Sequence, residues 1–264
     1  MKEKIANLKK IISDCESVVI AFSGGVDSTM LAAVTADVLP KENILLITAN
    51  TSTFAKKELL ESKQIATTLG LRQEIIGFEE LDVKEFSDNS PERCYYCKRE
   101  LFCRIKKIAR ERGHNVVFEG SNKDDLADYR PGLRAVDENG IRSPLREAQL
   151  TKDEIRQISA EMSLATASKP AMACLASRFP YGEKITKEKL QRVGFAEEKI
   201  ASLGFRQFRV RSHNDLARVE VEPSEMNCAW EKRDEIALIC KKAGFIYSAL
   251  DFTGYRSGAM NEVL

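Results

Sequence analysis

The apolar run Val18-Val19-Ile20-Ala21-Phe22 opens through Ser23-Gly24-Gly25-Val26-Asp27-Ser28 directly into a helix-like stretch over residues 29–38. No other feature restricts the fold as much. A strand that feeds a helix through small residues leaves the first-turn N–H groups unpaired and points the positive end of the helix dipole at one spot, which suits a phosphate. Gly24 and Gly25 allow backbone angles and close approaches that a Cβ forbids, Ser23 and Ser28 bring hydroxyl donors, and Asp27 is a carboxylate suited to magnesium. The lysine of a G-x-x-x-x-G-K-[ST] loop is missing, which excludes a Walker A site.

The pattern then repeats. Residues 43–49 (NILLITA), 72–78 and 115–119 read as further buried strands, and residues 54–69 and 95–112 as the helices between them. Strands alternating with helices of this length predict an α/β fold with a doubly wound parallel sheet, whose ligands sit at the carboxyl ends of the strands. The segment 119–132, GSNKDDLADYRPG preceded by Glu119, falls at such an end, as the first loop does. Thr151-x-x-Glu154 marks a helix start, and residues 169–182 (KPAMACLASRFPYG) form an aperiodic stretch of the kind that carries function inside compact domains. Beyond it come a helix over 186–203, a period-two hairpin over 205–212 and 217–222, a helix over 224–243 and a last strand over 246–252. These predict a smaller C-terminal α+β domain, with domains at 1–185 and 186–264.

Composition narrows the function classes. Lys and Arg number 41 against 40 Asp and Glu, a formal net charge of +1, so no global field gathers nucleic acid. The apolar runs are far shorter than a bilayer span, and the N-terminus MKEKIANLKKIISD reads as a charged amphipathic helix rather than a signal peptide, so a cytoplasmic protein is expected. Seven cysteines are an odd number without a secretion signal, which argues against a disulfide framework and leaves reduced thiols, a metal site or thiol chemistry.

Three side-chain groups stand out. Asp124, Asp125 and Asp128 cluster in the loop after the fourth strand, either as a solvated acidic turn or as outer ligands of the magnesium that shields ATP. Cys94-Tyr-Tyr-Cys97 is a C-x-x-C pair that suits a redox couple, half of a zinc site, or two ligands of a [4Fe–4S] cluster with Cys174 as the third. Cys15, Cys103, Cys228 and Cys240 fall in amphipathic stretches and read as packing or surface residues. Arg209 and Arg211 share one face of the hairpin, where they either clamp a phosphate or carboxylate or pair with Glu220 and Glu222.

The first loop resembles the pyrophosphate loop of ATP pyrophosphatases. Together SGGVDST, GSNKDDLADYRPG, SPLREAQLTK, KPAMACLASRFPYG and FRVRSHNDLARVEVEP resemble the LarE family over nearly the whole chain. That resemblance implies an ATP-dependent sulfur transferase of nickel-pincer nucleotide cofactor synthesis, which adenylates a carboxylate of pyridinium-3,5-biscarboxylic acid mononucleotide and converts it to a thiocarboxylate. It implies that Ser23, Gly24, Gly25, Asp27 and Ser28 bind ATP, that Cys174 is the sulfur-bearing residue, and that Arg209 and Arg211 hold the substrate phosphate; Asp125, placed by the acidic cluster opposite the loop, is expected to assist with Mg2+. Because Cys94 and Cys97 are present, the chain is similar to the three-cysteine branch, for which a cluster on Cys94, Cys97 and Cys174 is expected. A homo-oligomer, and other cofactor-synthesis proteins as partners, follow from the same resemblance. The rival classes on sequence grounds are an ammonia-using ligase, a tRNA thiolase and a zinc-stapled nucleotide-binding regulator.

Overall fold

The computed structural model describes all residues except 55, 127–128, 171–172, 257 and 264, and of residue 56 the backbone alone. In chain order the helices and strands of the first half are α1 (Lys2–Ser13), β1 (Val18–Ala21), α2 (Val26–Val38), β2 (Ile44–Asn50), α3 (Lys56–Leu69), β3 (Arg72–Gly77), α4 (Lys84–Ser87), α5 (Arg93–Glu111) and β4 (Val116–Phe118). There follow α6 (Gly132–Glu138), α7 (Pro144–Glu147), α8 (Lys152–Glu161), α9 (Lys187–Ala201), β5 (Phe208–His213), β6 (Leu216–Val221), α10 (Met226–Glu231), α11 (Arg233–Lys242) and β7 (Tyr247–Leu250). Two compact units result, residues 1–79 with 94–171, and residues 80–93 with 172–264. The expected domain limit at residue 185 falls inside the second of these.

In the first unit four parallel strands lie in the order β3-β2-β1-β4. Alternation decides which face each residue serves. Val18 and Ile20 of β1 and Ile44 and Leu46 of β2 pack with Leu8, Met30, Leu31 and Ile155 from α1, α2 and α8. Val19, Leu45, Ile47 and Val117 face the other way, onto Phe102, Ile105 and Ala109 of α5. The sheet is therefore covered on both sides, as the apolar runs demanded. Strand order reverses between β1 and β4, so the loops that follow those two strands open side by side at a topological switch point.

Helix starts follow local chemistry. Thr151 Oγ1 accepts from the Glu154 N–H at 3.3 Å while Glu154 Oε2 accepts from the Thr151 N–H at 2.9 Å, the reciprocal capping expected from the sequence.

The second unit carries a three-stranded sheet in the order β5-β6-β7, with β5 and β6 antiparallel and β6 and β7 parallel. Asn214, at φ 54°, makes the hairpin turn in the left-handed region that Asn tolerates. Residues 80–93 join this unit through backbone bonds, from the Gly182 N–H to Asn89 O at 3.0 Å and from the Ile185 N–H to Ser87 O at 2.8 Å. The single helix expected over 224–243 is two. Lys232 leaves helical geometry at φ −92°, ψ 14° between α10 and α11. Its ammonium donates to Leu203 O at 2.6 Å, which holds the break in place. Among the described residues no helix is long and apolar enough to cross a membrane.

Candidate active site

The loop after β1 is built as its composition requires. Gly24 sits at φ 70°, and a Cβ there would lie 3.0 Å from the Ser62 side chain on α3, so only glycine fits. Gly25 caps α2, its N–H reaching Ser23 Oγ at 3.2 Å and its carbonyl accepting from the Thr29 N–H at 3.0 Å. The hydroxyls of Ser23 and Ser28 lie 3.1 Å apart. Helix α2 begins at Val26 rather than near residue 29, so its first-turn N–H groups follow the two glycines directly and lie beside the two serines.

The loop after β4 closes against it. A Cβ on Gly120 would stand 3.2 Å from the Ser28 nitrogen and 3.3 Å from the Asp27 Cβ. Asn122 Nδ2 donates to Asp27 Oδ1 at 3.3 Å, and Lys152 Nζ reaches Asp27 Oδ2 at 2.5 Å. Asp27 is thus held by an amide and an ammonium. Asp125 turns inward, with Oδ2 accepting from the Asn122 N–H at 3.0 Å and Oδ1 paired to Arg130 Nη1 at 2.8 Å. Asp124 accepts from the Lys152 N–H at 2.7 Å and so caps α8. Asp128 lies outside the described residues. Within this loop, then, Asp124 and Asp125 shape the backbone that presents Asn122 and Lys152. Among the described residues, a magnesium ion bound with nucleotide phosphates would find Asp27 already oriented by its neighbours.

Cys94 and Cys97 occupy the first turns of α5, three residues apart on one helix face, Cys94 exposed and Cys97 half-buried. That spacing and exposure fit two thiolate ligands of one soft metal centre. Cys174 belongs to the second unit, exposed at the head of a 3-10 turn over Leu175–Arg178. Among the described residues no three His, Cys, Asp or Glu side chains gather into a ready metal site.

The turn that carries Cys174 is pinned by Arg178, whose side chain is 4% exposed. Its guanidinium is bidentate on Glu197, at 2.7 and 2.9 Å, and its Nη1 also donates to Ser177 Oγ at 2.7 Å and toward Cys174 O at 3.4 Å. Glu197 Oε1 in turn accepts from the Val210 N–H at 2.9 Å. Through the buried Arg178 and the half-buried Glu197 the cysteine turn and strand β5 are tied together.

Arg209 and Arg211 flank Val210 and are both buried. Arg211 pairs with Glu220 at 2.8 Å and donates to Ser177 O at 3.0 Å, while Arg218 joins the same Glu220 at 3.1 Å. The cross-strand ion pairing weighed from sequence therefore exists for Arg211 with Glu220. Arg209 Nη1 donates to Phe208 O at 2.6 Å, and its guanidinium lies 5.0 Å from the Tyr255 ring centre. Burial pushes the Arg209 guanidinium below its usual range, and the neighbouring positive charge of Arg178 adds to that. The Glu197 carboxylate offsets part of this. Sequence reasoning passed over Asn122, Lys152, Arg178 and Glu197. Lys152 and Arg178 stand inside the quoted motifs, whereas Glu197, on an amphipathic helix beside Glu198, gives no signal.

A parallel sheet that delivers a glycine loop without its own lysine to a helix N-terminus at the switch point defines a nucleotide-binding domain of the pyrophosphate-loop class. Consistent with that, the NAD synthase family pattern matches residues 2–125. The chain is 36% identical over 261 residues to pyridinium-3,5-bisthiocarboxylic acid mononucleotide synthase of Lactiplantibacillus plantarum, covering 99% of this chain and 95% of that one. It is 42% identical over 266 residues to the uncharacterized protein slr1717 of Synechocystis sp., covering 100% and 99%. More distantly, it is 25% identical over 193 residues to tRNA-specific 2-thiouridylase MnmA of Rickettsia africae, covering 58% of this chain and 52% of that one. The chain belongs to the LarE family of pyridinium-3,5-bisthiocarboxylic acid mononucleotide synthases, and it is an enzyme.

Proposed function

We propose that the enzyme uses ATP to adenylate the carboxylates of pyridinium-3,5-biscarboxylic acid mononucleotide and replaces the activated oxygen by sulfur, as a step of nickel-pincer nucleotide cofactor synthesis. The observation that carries this reading is the exposed Cys174 on a backbone fixed by the Arg178–Glu197 pair, in a chain whose other unit presents the pyrophosphate loop.

A carboxylate repels nucleophiles and has no good leaving group. Its oxygen attacks the α-phosphorus of ATP, the bond to pyrophosphate breaks, and the acyl adenylate forms. The first-turn N–H groups of α2 and the hydroxyls of Ser23 and Ser28 receive the departing pyrophosphate, and Asp27 would hold the magnesium that shares its charge. Sulfur then attacks the acyl carbon and AMP leaves. Where the Cys174 thiolate is that sulfur, attack gives a thioester, and loss of the Cys174 Cα proton with cleavage of its Cβ–S bond frees the thiocarboxylate and leaves dehydroalanine; Arg209 and Arg211 hold the substrate phosphate. Cys94, Cys97 and Cys174 would instead hold a [4Fe–4S] cluster, which would supply sulfide in place of the cysteine's own sulfur.

The test is pyrophosphate release with the biscarboxylate mononucleotide as acceptor, followed by product mass. Each oxygen replaced by sulfur adds about 16 Da, the consequence of nucleophilic substitution at the acyl carbon. ATP hydrolysis that ignores the acceptor, or ammonia incorporation in place of sulfur, overturns the reading.

A further inference from the structure

The peptide joining Gly24 to Gly25 is the least restrained part of the pyrophosphate loop by its covalent chemistry. Flipping a peptide changes ψ of one residue and φ of the next, and with glycine on both sides neither change meets a Cβ. Yet its orientation decides the sign of the field at the loop. The peptide unit is planar and trans, so its carbonyl and its N–H point in opposite directions. With the carbonyl turned away, the Gly25 N–H faces the anion side. Flipped, carbonyl lone pairs would face the phosphates instead.

One side chain holds that carbonyl. Lys169 Nζ donates to Gly24 O at 3.2 Å, and the same ammonium is anchored on Glu61 Oε2 at 2.7 Å, the lysine side chain being 16% exposed. Glu61 precedes Ser62 on α3, the residue whose Cβ closes the space beside Gly24. Helix α3 thus backs the loop with two consecutive residues, Ser62 by contact and Glu61 through the ammonium of Lys169. On the opposite side of the same peptide the Gly25 N–H lies on Ser23 Oγ at 3.2 Å, where a phosphate oxygen would replace the hydroxyl.

We propose that Lys169 is a positioning residue of the nucleotide site, which locks the Gly24–Gly25 peptide with its N–H toward the phosphates. The inference rests on the nucleotide-binding reading above. It acts on the β- and γ-phosphate end and leaves the adenosine end alone.

The full-length enzyme, Lys169→Met and Lys169→Arg are titrated calorimetrically with magnesium pyrophosphate and, separately, with AMP, with thermal melts as a check on folding. Loss of the lock lowers pyrophosphate affinity about tenfold in Lys169→Met, roughly one hydrogen bond's worth of loop order, with AMP affinity unchanged within about twofold. Lys169→Arg, which keeps a charged donor, recovers most of the loss. A 15N-glycine spectrum of the unsubstituted enzyme gives a readout that needs no variant to fold. The Gly25 amide shifts on adding pyrophosphate, and in Lys169→Met the free amide is doubled or broadened by peptide exchange. Unchanged pyrophosphate affinity in a folded Lys169→Met, an equal loss for AMP, or a Gly25 amide indifferent to pyrophosphate overturns the lock. Failure of the unsubstituted enzyme to bind pyrophosphate overturns the proposed function itself.

Discussion

The ammonium of Lys152 lies 2.5 Å from a carboxylate oxygen of Asp27, across 125 residues of chain. The pair sets the charge of the pyrophosphate loop, which has no lysine of its own. An unpaired Asp27 would repel an incoming triphosphate. Lys152→Met is expected to weaken ATP binding by about 1–2 kcal/mol, the lower part of the range for a hydrogen bond to a charged group, since both partners are partly exposed. Asp27→Ala and Ser23→Ala should slow pyrophosphate release with the fold intact. A thermal melt and a release assay on the three variants check this, and normal release in all of them would remove the assignment of the loop.

Arg178 and Glu197 are nearly buried, and breaking a buried pair leaves an uncompensated charge. Arg178→Met should destabilise the second unit by about 3–5 kcal/mol, and Arg178→Met combined with Glu197→Met should recover much of that. Thermal unfolding followed by proteolysis of residues 172–264 distinguishes the two cases. A single variant as stable as the parent would show that the pair does not hold the Cys174 turn.

These two relationships also show what a sequence yields and what it withholds. Strand β1, its loop and the Thr151 cap were legible because their causes are local, an apolar run, two glycines and a residue three positions on. The Lys152–Asp27 contact depends on strand order, since α8 reaches the loop only once β4 lies beside β1. The extent of the second unit was hidden for a similar reason. Asn89 Nδ2 donates to Pro180 O at 2.6 Å, a contact between two irregular segments that no periodicity announces. In the acidic loop, backbone N–H groups bond to Asp124 and Asp125, and a run of carboxylates looks the same in sequence whether it faces an ion or its own main chain.

The two hairpin arginines should separate on mutation. Arg209→Ala is expected to weaken binding of the substrate mononucleotide by about 1.5–3 kcal/mol with little change in ATP affinity. Arg211→Ala should cost substrate binding and also stability, because Glu220, 1% exposed, then keeps Arg218 alone as a charged partner among the described residues. Calorimetry with each ligand, together with melts, tests the division. A loss confined to ATP in either variant would move these residues to the nucleotide site.

Glu154 gives a pH dependence with a defined sign. Its carboxyl is held down from 4.5 to about 2, first by the side chain of Lys4 and then by the Thr151 N–H. A carboxylate with a depressed folded-state pKa contributes stability that is complete above about pH 4.5 and fades as the pH falls toward 2. Glu154→Gln should therefore lower the melting temperature at pH 7 and flatten its decline between pH 4.5 and pH 2. Parallel melting curves for the two proteins across that interval would show that the pair does not contribute.

Sulfur chemistry supplies the last prediction. If Cys94, Cys97 and Cys174 share a [4Fe–4S] cluster, replacing any one of them by Ala should abolish or severely reduce cluster content, since two thiolates hold a cube poorly. Changes at Cys15 and Cys240, both buried, or at Cys103 and Cys228 should leave it nearly untouched. Burial already pushes the Cys240 thiol up to about 11, which keeps it protonated and a poor ligand at neutral pH. Anaerobic protein reconstituted with iron and sulfide, assayed for iron, sulfide and visible absorption, gives the comparison. Under the cluster mechanism supplied sulfide supports repeated turnover with Cys174 intact. If instead the thiol itself is donated, its Cβ–S bond breaks after transfer, and the Cys174 peptide emerges about 34 Da lighter as dehydroalanine after one turnover. Stoichiometric loss of that mass in reconstituted protein would overturn the cluster mechanism even where a cluster assembles.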